Sequence, residues 1–536
     1  MWRFGLAIVG FGILVGCTQV APTKINTPDS RASVPPATVA WGERIDLGIN
    51  ARKIEITYPG NPNGTQVIDV SQRFYDIPAP PIDTESLGTA TSVSLEEYNA
   101  ALNPTLYTQR GTLHVKNANN QEIATYTPYG SVINGQISFL ASISSQSCTN
   151  FYAQVSARLS QTNIAGFALL SEDSFSILVP ATFSLCYGSV LLGAQTTDQA
   201  LTRLHGILSS LSGYIPVLGG KDFVIDKNTV FNLLQVGAWA YDPTCPEIAR
   251  KLDPFGSLGF DQISTSKLKA DLNITATSKT GLGVNVNIIG GGVGAADTFT
   301  CVPNYSFAKH DTHVKSLIQT IAPGVTFQTY TACNSSGVCK GSELGKALMQ
   351  IIASNPTKPN IINLSLGSAQ PNNIMFALLE LLRVRHNMPV FASGGNARRA
   401  PAQYPASYSS GVAVVGQPSL ANVISVASLG WFNGGYRIAT FNTRANADVF
   451  TQGVNLCPNS VSGSRCLLGQ PVGSLSALGI TGSSFSAPIA VGLLALVIEQ
   501  KAGKLPTDLH ACVRNNRKTD SVSGIQYAAL MNQACP

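Results

Sequence analysis

Charged side chains are scarce in this chain of 536 residues. Asp, Glu, Lys and Arg make up 12% of it, about half their usual share, and the net charge of +6 is spread thinly. No run of Lys and Arg exceeds two residues, so the sequence predicts no nucleic-acid-binding surface. The length exceeds what one hydrophobic core usually serves, so two to four domains are expected.

The apolar stretch at the N-terminus is too short to cross a bilayer as a helix. It runs from Phe4 to Val15 behind the positive charge of Arg3, which predicts a signal peptide. Its ending, Leu14-Val15-Gly16-Cys17, resembles a bacterial lipobox, so residues 1–17 are assigned to a lipoprotein signal peptide with Cys17 as the lipidated residue. The protein is then expected to be exported and lipid-anchored at the surface of a bacterial membrane. An ordinary signal peptide with an incidental cysteine is the alternative.

Cysteine pairs at zinc-binding spacing are missing, because no CxxC or Cys/His pair of that kind occurs. Ten of the 11 cysteines remain after Cys17, and an even number in an exported chain favours disulfides. Pairing of near neighbours predicts Cys333–Cys339 and Cys457–Cys466, while the remaining connectivity stays open.

The chain divides by composition into a tether and three larger regions. Residues 18–40, rich in Pro, Ser and Thr, predict a flexible tether. Residues 41–185 contain short β-branched runs and turns that predict a β-rich, sandwich-like module, with Phe151–Leu159 among its strands. Residues 186–265 predict a small α/β block, with a helix from Val230 to Ala240, that serves as a linker or as a prodomain. Residues 266–536 alternate strands and helices, which predicts a mostly parallel sheet covered on both faces.

Four motifs occur in order in this last region. They are His310-Asp311-Thr312-His313-Val314, Asn363-Leu364-Ser365-Leu366-Gly367, Ala392-Ser393-Gly394-Gly395-Asn396 and Gly482-Ser483-Ser484-Phe485-Ser486-Ala487-Pro488. Together they resemble the motifs of the subtilisin-like serine peptidases (subtilases), over about Leu268 to Gln500. The resemblance implies the subtilisin-like α/β fold.

The resemblance also implies a role for each motif. Ser484 is expected to be the nucleophile and His310 its general base, while Asn396 and the backbone amide of Ser484 stabilise the oxyanion. Ser365, Leu366 and Gly367 are expected to line the cleft and pair with an extended polypeptide by edge addition. Independently of the family, the serine stretch predicts a helix start, with Pro488 in the first turn.

The aspartate expected in such a triad is missing. Gly290 occupies its position at the end of the stretch Gly283–Ile289, and Asp311 stands where the family has a glycine beside the base. Asp297, on the loop that leaves this strand, is the preferred substitute to orient His310. Asp311 is the second choice, since adjacent helical residues point in different directions. For each of the two carboxylates, a solvent-facing position without a part in the triad is favoured over this role. The Gly290–Gly292 run lacks the context of a phosphate-binding loop.

The sequence therefore leaves two functions open. A serine endopeptidase that cleaves polypeptides through an acyl-enzyme at Ser484 is preferred, and a catalytically impaired pseudopeptidase that binds peptides or proteins at the cell surface is the alternative. An α/β-hydrolase is disfavoured because Ser484 lacks the Gly-x-Ser-x-Gly elbow. No cofactor or metal is expected; calcium is common in the family, but no acidic loop here has the spacing of its ligands.

Overall fold

The structure is a computed structural model that describes part of the chain. The described residues are 37–40, 44–46, 51–58, 61–69, 74–76, 112–129, 132–144, 147–162, 166–179, 183–192, 197–233, 260–275, 278–292, 310–334, 337–368, 370–396, 402–412, 418–439, 441–442, 444–457, 480–530 and 535. The predicted signal peptide, most of the tether, Asp297 and Cys466 lie outside these residues.

The N-terminal region contains a five-stranded sheet of order β1-β7-β6-β3-β4, in which β1 is parallel to β7 and the other neighbours are antiparallel. A separate antiparallel pair joins β2 and β5. The strands are β1 (Ala37–Ala40), β2 (Arg44–Asp46), β3 (Lys53–Tyr58), β4 (Asn61–Asp69), β5 (Phe74–Asp76), β6 (Thr112–Lys116) and β7 (Glu122–Tyr129). This bears out the prediction of a β-rich N-terminal region.

The next six elements form a strand–helix–strand–strand–helix–strand unit, called here the βαββαβ module. They are β8 (Val132–Ser144), α1 (Cys148–Ser160), β9 (Phe167–Val179), β10 (Phe183–Leu192), α2 (Thr197–Ser209) and β11 (Phe223–Leu233). The antiparallel strand order β11-β8-β10-β9 is the ferredoxin-like arrangement. The boundary predicted at residues 185/186 falls inside β10, and the Cys148–Cys186 disulfide links its two sides.

Two predictions for this module are wrong. Phe151–Leu159 forms helix α1, in which Phe151, Val155 and Leu159 are buried and the intervening alanines are exposed. Burial of every fourth residue is the helical pattern, and the Ser147 side chain accepts from Thr149 N at the start of the helix. Val230, predicted to begin a helix, lies in strand β11.

The C-terminal region is built on a sheet whose strands β14-β13-β16-β18-β19 are all parallel, with β21 parallel and β20 antiparallel to β19. Its elements are β12 (Ile263–Ser264), α3 (Thr265–Asp271), β13 (Asn285–Gly290), α4 (His310–Ile321), β14 (Thr326–Thr331), β15 (Val338–Lys340), α5 (Gly341–Ala353), β16 (Asn360–Leu364), β17 (Leu366–Gly367), α6 (Asn373–His386), β18 (Val390–Ser393), β19 (Val423–Phe432), β20 (Gly435–Ile438), β21 (Val449–Gln452), β22 (Leu456–Cys457), α7 (Ser483–Gln500), α8 (Leu509–Asn515), β23 (Arg517–Thr519) and β24 (Gln526–Ala528), with 3₁₀ turns at Ala406–Tyr408 and Arg444–Asn446.

Helices cover both faces of this sheet, as the fold prediction requires. Because successive strand residues point to opposite faces, Ile288 packs in the cluster that contains α4 and α7, and Ile289 packs in the cluster that contains α5 and α6. The second cluster also includes Phe183, Tyr187 and Phe231, so the βαββαβ module shares a core with the large sheet.

Helix α7 is the central helix of the first cluster. Within the described residues it alone is long and apolar enough to span a membrane, and 89% of it lies buried inside the molecule. A helix that is apolar on every side suits such a position in a core.

Disulfides close three loops of the described chain. They join Cys148 to Cys186, Cys333 to Cys339 and Cys512 to Cys535. The second of these was predicted from sequence. Cys457 is also disulfide-bonded, but its predicted partner, Cys466, lies outside the described residues.

Candidate active site

The start of helix α7 positions Ser484. Gly482 precedes the helix with φ near +145°, a conformation that side chains disfavour. Pro488 is the sixth residue of α7, so its expected place in the first turn is wrong. Because proline has no N–H, the Ser484 carbonyl has no helical partner four residues later. The Ser365 hydroxyl takes that place and donates to the Ser484 carbonyl at 2.7 Å.

A second hydrogen bond runs the opposite way between the same two residues. The Ser484 hydroxyl donates to the Ser365 carbonyl at 2.8 Å, and Asn363 Nδ2 donates to Ser365 Oγ at 2.9 Å. All three residues are buried. Ser484 is therefore held against the end of β16, the strand predicted to lead into the substrate cleft.

His310 is the first residue of helix α4 and is buried, with its ring centroid 5.7 Å from that of Phe485. Its Nδ1 lies 2.9 Å from Asp311 Oδ1. Because a carboxylate oxygen accepts hydrogen bonds, Nδ1 is the donor in this contact. Nε2 is buried, and no hydrogen bond from the described residues reaches it. In a neutral imidazole that donates through Nδ1, the lone pair is on Nε2, the atom through which a general base accepts a proton.

Asp311 lies in contact with His310, although adjacent residues of a helix usually point in different directions. Its side chain is 1% exposed, Oδ1 accepts from His310, and Oδ2 accepts from Gly292 N at 2.7 Å. The expectation that Asp311 points away from His310 is wrong. Side chains lean toward the N-terminus of a helix. In the first turn no earlier turn occupies that space, so the carboxylate folds back onto the imidazole.

Gly290 ends strand β13 beside this pair. A Cβ at position 290 would lie 2.4 Å from Oδ1 and 2.7 Å from Oδ2 of Asp311, closer than non-bonded atoms approach. The space of a side chain at position 290 is thus filled by the carboxylate of Asp311. A carboxylate is present where the motif comparison expects one, but helix α4 supplies it instead of strand β13.

Ser484 and His310 do not hydrogen-bond in this state. The Ser484 hydroxyl proton is directed to the Ser365 carbonyl, as described above. Catalytic hydrogen bonds often form only when substrate binds, so this arrangement is compatible with a proton transfer that follows rotation of the hydroxyl.

Asn396 follows β18 through the turn at Gly394 and Gly395. Gly395 has φ near +108°, and a Cβ there would lie 2.6 Å from Gln403 Oε1, so the turn requires glycine. The Oδ1 atom of Asn396 accepts from Ser483 N at 2.9 Å and from Ser483 Oγ at 2.8 Å. With Oδ1 bound beside the nucleophile position, Nδ2 is the end of the amide that can donate to an oxyanion formed at Ser484.

The cleft strand already carries an extended segment of the same chain. Strand β11 pairs antiparallel with β17, with Asn232 opposite Gly367 and Leu233 opposite Leu366. On its other side the same end of β11 pairs antiparallel with β15. The last residues of the βαββαβ module therefore occupy the edge that was predicted to bind substrate.

Side chains hold this end of β11 in place. Phe231 and Leu233 are buried in the cluster formed with α5 and α6. Asn372 Nδ2 donates to Thr229 Oγ1 at 2.8 Å, and the backbone N–H of Asn373 donates to the Asp226 carboxylate. The pairing on β17 is thus supported by both apolar and polar contacts.

A different serine, histidine and aspartate lie together elsewhere in the described residues. Ser410 Oγ is 3.1 Å from His510 Nε2, and His510 Nδ1 is 3.6 Å from Asp448 Oδ1. The second distance is too long for a hydrogen bond. Burial raises the pKa of Asp448, against the hydrogen bonds that its carboxylate accepts from Ser409 and Ser425. Ser410 is exposed in a turn, which makes it a useful comparison residue for Ser484.

The sequence favoured Asp297 over Asp311 as the partner of His310, and it did not predict that β11 pairs with β17. The sequence did contain an indication of this contact. Position 290 has glycine where the family has aspartate, and position 311 has aspartate where the family has glycine. Asp297 lies outside the described residues, and among those that are described no three His, Cys, Asp or Glu side chains are grouped to hold a metal ion.

Comparison with known proteins gave one family. Residues 291–529 match the subtilase family, and this range begins one residue after Gly290. A search of curated proteins gave no match. Among solved structures, the chain is similar to fervidolysin from Fervidobacterium pennivorans, a keratinolytic enzyme related to subtilisin, with 15% identity, a TM-score of 0.47 and coverage of 75% of this chain. The chain spans 61% of fervidolysin's length.

Two further structures are similar over 49% of this chain. A cold adapted subtilisin-like serine proteinase has 21% identity and a TM-score of 0.35, with 93% of its own chain covered. Sphericase has 18% identity and a TM-score of 0.34, with 97% of its chain covered.

Proposed function

Because residues 291–529 of this chain belong to the subtilase family, we propose that it is a serine endopeptidase that cleaves extended polypeptides. The observation that carries the proposal is the antiparallel pairing of an extended segment with Leu366 and Gly367. The adjoining residue, Ser365, is hydrogen-bonded to Ser484 in both directions. An edge that binds peptide backbone beside a helix-start serine is what peptide-bond cleavage requires.

In the proposed reaction, Ser484 Oγ attacks the carbonyl carbon of the scissile bond and its proton passes to His310 Nε2. The oxyanion that forms is stabilised by Asn396 Nδ2 and the Ser484 backbone N–H. The intermediate collapses as the C–N bond breaks, and His310 returns the proton to the leaving amine. A water molecule then attacks the acyl-enzyme with the same base, which releases the acid product and restores Ser484.

The βαββαβ module is proposed to keep the described state self-blocked. The end of β11 lies on both strands, β15 and β17, that would otherwise pair with a substrate. A polypeptide substrate then has to displace this segment or to meet a chain from which it has been released. This favours the prodomain-like alternative over the linker for residues 186–265, the block that contains α2 and the last module strand, β11.

A pseudopeptidase that only binds peptides is the second candidate. The observation that favours it is the Ser484 hydroxyl, which donates to Ser365 and not to His310. A catalytically inactive protein would retain this hydrogen bond when peptide binds. In an active enzyme, the Ser484 hydroxyl would instead donate to His310 Nε2.

Labelling by a biotinylated aryl phosphonate and cleavage of casein would separate the two candidates. We expect wild-type protein to be labelled and to cleave casein, Ser484→Ala to lose both, and Ser410→Ala to retain both. Ser410 is the matched control because it is an exposed serine beside a different histidine. Equal labelling of wild type and Ser484→Ala, or none over long incubation, would reject the catalytic proposal in favour of peptide binding.

Export and anchoring through Cys17 are proposed on separate grounds. The support is the lipobox-like sequence together with three disulfides, which fit an oxidising compartment. Expression in bacteria fed an alkyne fatty acid would test this. Wild-type protein is expected to carry the label in the membrane fraction, and Cys17→Ser to lose it; a labelled Cys17→Ser protein would contradict the assignment.

A further inference from the structure

We propose that Asp311 is the positioning residue for His310 in this enzyme, and that position 290 is a glycine because the Asp311 carboxylate needs its space. The inference rests on the proposed peptidase function and identifies the group that completes its base. It replaces the sequence-based preference for Asp297.

The first support is that both carboxylate oxygens are used. Asp311 Oδ1 accepts from His310 Nδ1 at 2.9 Å, and Oδ2 accepts from the backbone N–H of Gly292 at 2.7 Å. The second bond fixes the carboxylate to the segment that follows β13. The imidazole is thereby oriented by a group that is anchored both on helix α4 and on the segment that follows β13.

The second support is burial. The side chains of His310 and Asp311 are 0% and 1% exposed. Solvent does not screen a pair at this depth as it screens a surface pair, so the hydrogen bond can hold one tautomer and favour the imidazolium that forms when Ser484 loses its proton. Carboxylates perform this work in serine peptidases without taking the proton themselves.

The third support is steric. A Cβ at position 290 would lie 2.4 to 2.8 Å from the three carboxylate atoms of Asp311. An aspartate at 290 and an aspartate at 311 therefore compete for one space. The two departures from the family motif are therefore linked. The carboxylate has moved from strand β13 to helix α4, and the glycine has moved from α4 to β13.

The exchange can be tested with a cycle of four proteins: wild type, Asp311→Gly, Gly290→Asp and the double variant. We expect Asp311→Gly to lower kcat on a peptide substrate by about 10³- to 10⁴-fold, with KM changed less than about threefold, because orientation of the base acts in the transition state. Gly290→Asp alone is also expected to lose activity, since two carboxylates would crowd one space. The double variant should recover at least about tenfold over each single variant.

An isosteric variant guards against loss of folding. Asp311→Asn keeps the size of the side chain, but its amide can donate to Nδ1 and so favour the tautomer with the proton on Nε2. It should lower kcat by about 10⁴-fold while the melting temperature and the affinity for peptide stay near those of wild type. Asp508→Asn is the matched control, because an asparagine caps helix α8 as well as the aspartate that accepts from Ala511 N. Its kcat should be unchanged.

The outcomes separate this inference from the proposed function. Wild-type protein without Ser484-dependent phosphonate labelling would overturn both. An active wild type whose Asp311→Asn variant keeps its kcat would overturn the inference alone, as would a double variant no better than the single ones.

Discussion

The occupation of the substrate edge by β11 gives a prediction for Leu233. This side chain is 4% exposed and packs in the cluster that contains α5 and α6. Leu233 also pairs with Leu366 of β17, and its backbone N–H donates to Gly337 O at 2.8 Å. Replacement by alanine removes apolar contacts that exist only while β11 lies on the edge.

The expected magnitude follows from that burial. A buried Leu→Ala change commonly costs about 2–5 kcal/mol, and we take the lower part, about 2–3 kcal/mol, because Leu233 is at the end of a strand. This weakens the docked state of β11 by about 30- to 140-fold. A peptide that needs the vacated edge then gains apparent affinity by the same factor as long as the docked state predominates.

The assay is fluorescence anisotropy of a labelled casein peptide, with Ser484→Ala as the parent so that no peptide is cleaved. Leu233→Ala in this parent should bind the peptide about 30- to 140-fold more tightly. Val224→Ala is the matched control, because Val224 is buried on the same strand but pairs with Leu140 of β8. Equal affinities for the two variants would refute the idea that β11 competes with substrate.

Three further predictions concern stability, each measured by denaturant unfolding of the full chain. Gly188→Ala should destabilise the βαββαβ module by about 1–3 kcal/mol, since its Cβ would lie 2.4 Å from a buried phenylalanine ring, that of Phe139. Gly206→Ala, in open space in helix α2, should be neutral or stabilising by up to about 1 kcal/mol; the reverse order would contradict the packing. Replacing Cys148 and Cys186 by alanine, which opens a loop of sequence separation 38, should cost about 3–4 kcal/mol, and no loss would mean that the disulfide leaves the unfolded chain unconstrained. Glu499→Ala should cost about 2 kcal/mol and Glu499→Gln about half of that, because this carboxylate accepts three backbone N–H bonds before β13; equal losses would show that its charge is unimportant.

The large sheet was predictable because its strands and helices alternate along the chain, and because short apolar runs in the sequence mark its buried strands. Helix α1 was not predictable. Phe151–Leu159 is apolar at every second position, which is the pattern of a strand, but the same residues also place an apolar side chain at every fourth position, as a helix does. Burial of Phe151, Val155 and Leu159 alone decides for the helix, and burial is a tertiary property. The strand at Val230 was missed for a related reason. Its partners in β15 and β17 come more than 100 residues later in the chain.

In the candidate site, the residues were predictable from the motifs, but the contact between Asp311 and His310 was not. Ser484, Ser365 and Asn396 stand in motifs whose local turns determine their positions. The contact of Asp311 with His310 depends on the helix beginning at His310, since in a helix interior adjacent side chains diverge. Helix ends are the part of an element that sequence patterns predict least well, and here the start of α4 decides where the carboxylate points.

The shared space of Gly290 and Asp311 also restricts how such a site can change over generations. The arrangement with the carboxylate on β13 and the arrangement on α4 differ at two positions. Any route by single substitutions passes through a chain with two carboxylates in one space or with none. Both intermediates are expected to be poor enzymes, so the two arrangements are separated by a fitness valley. Proteins with the carboxylate on β13 and proteins with it on α4 are therefore expected to form separate lineages. Gly290 together with Asp311 would identify the second of these.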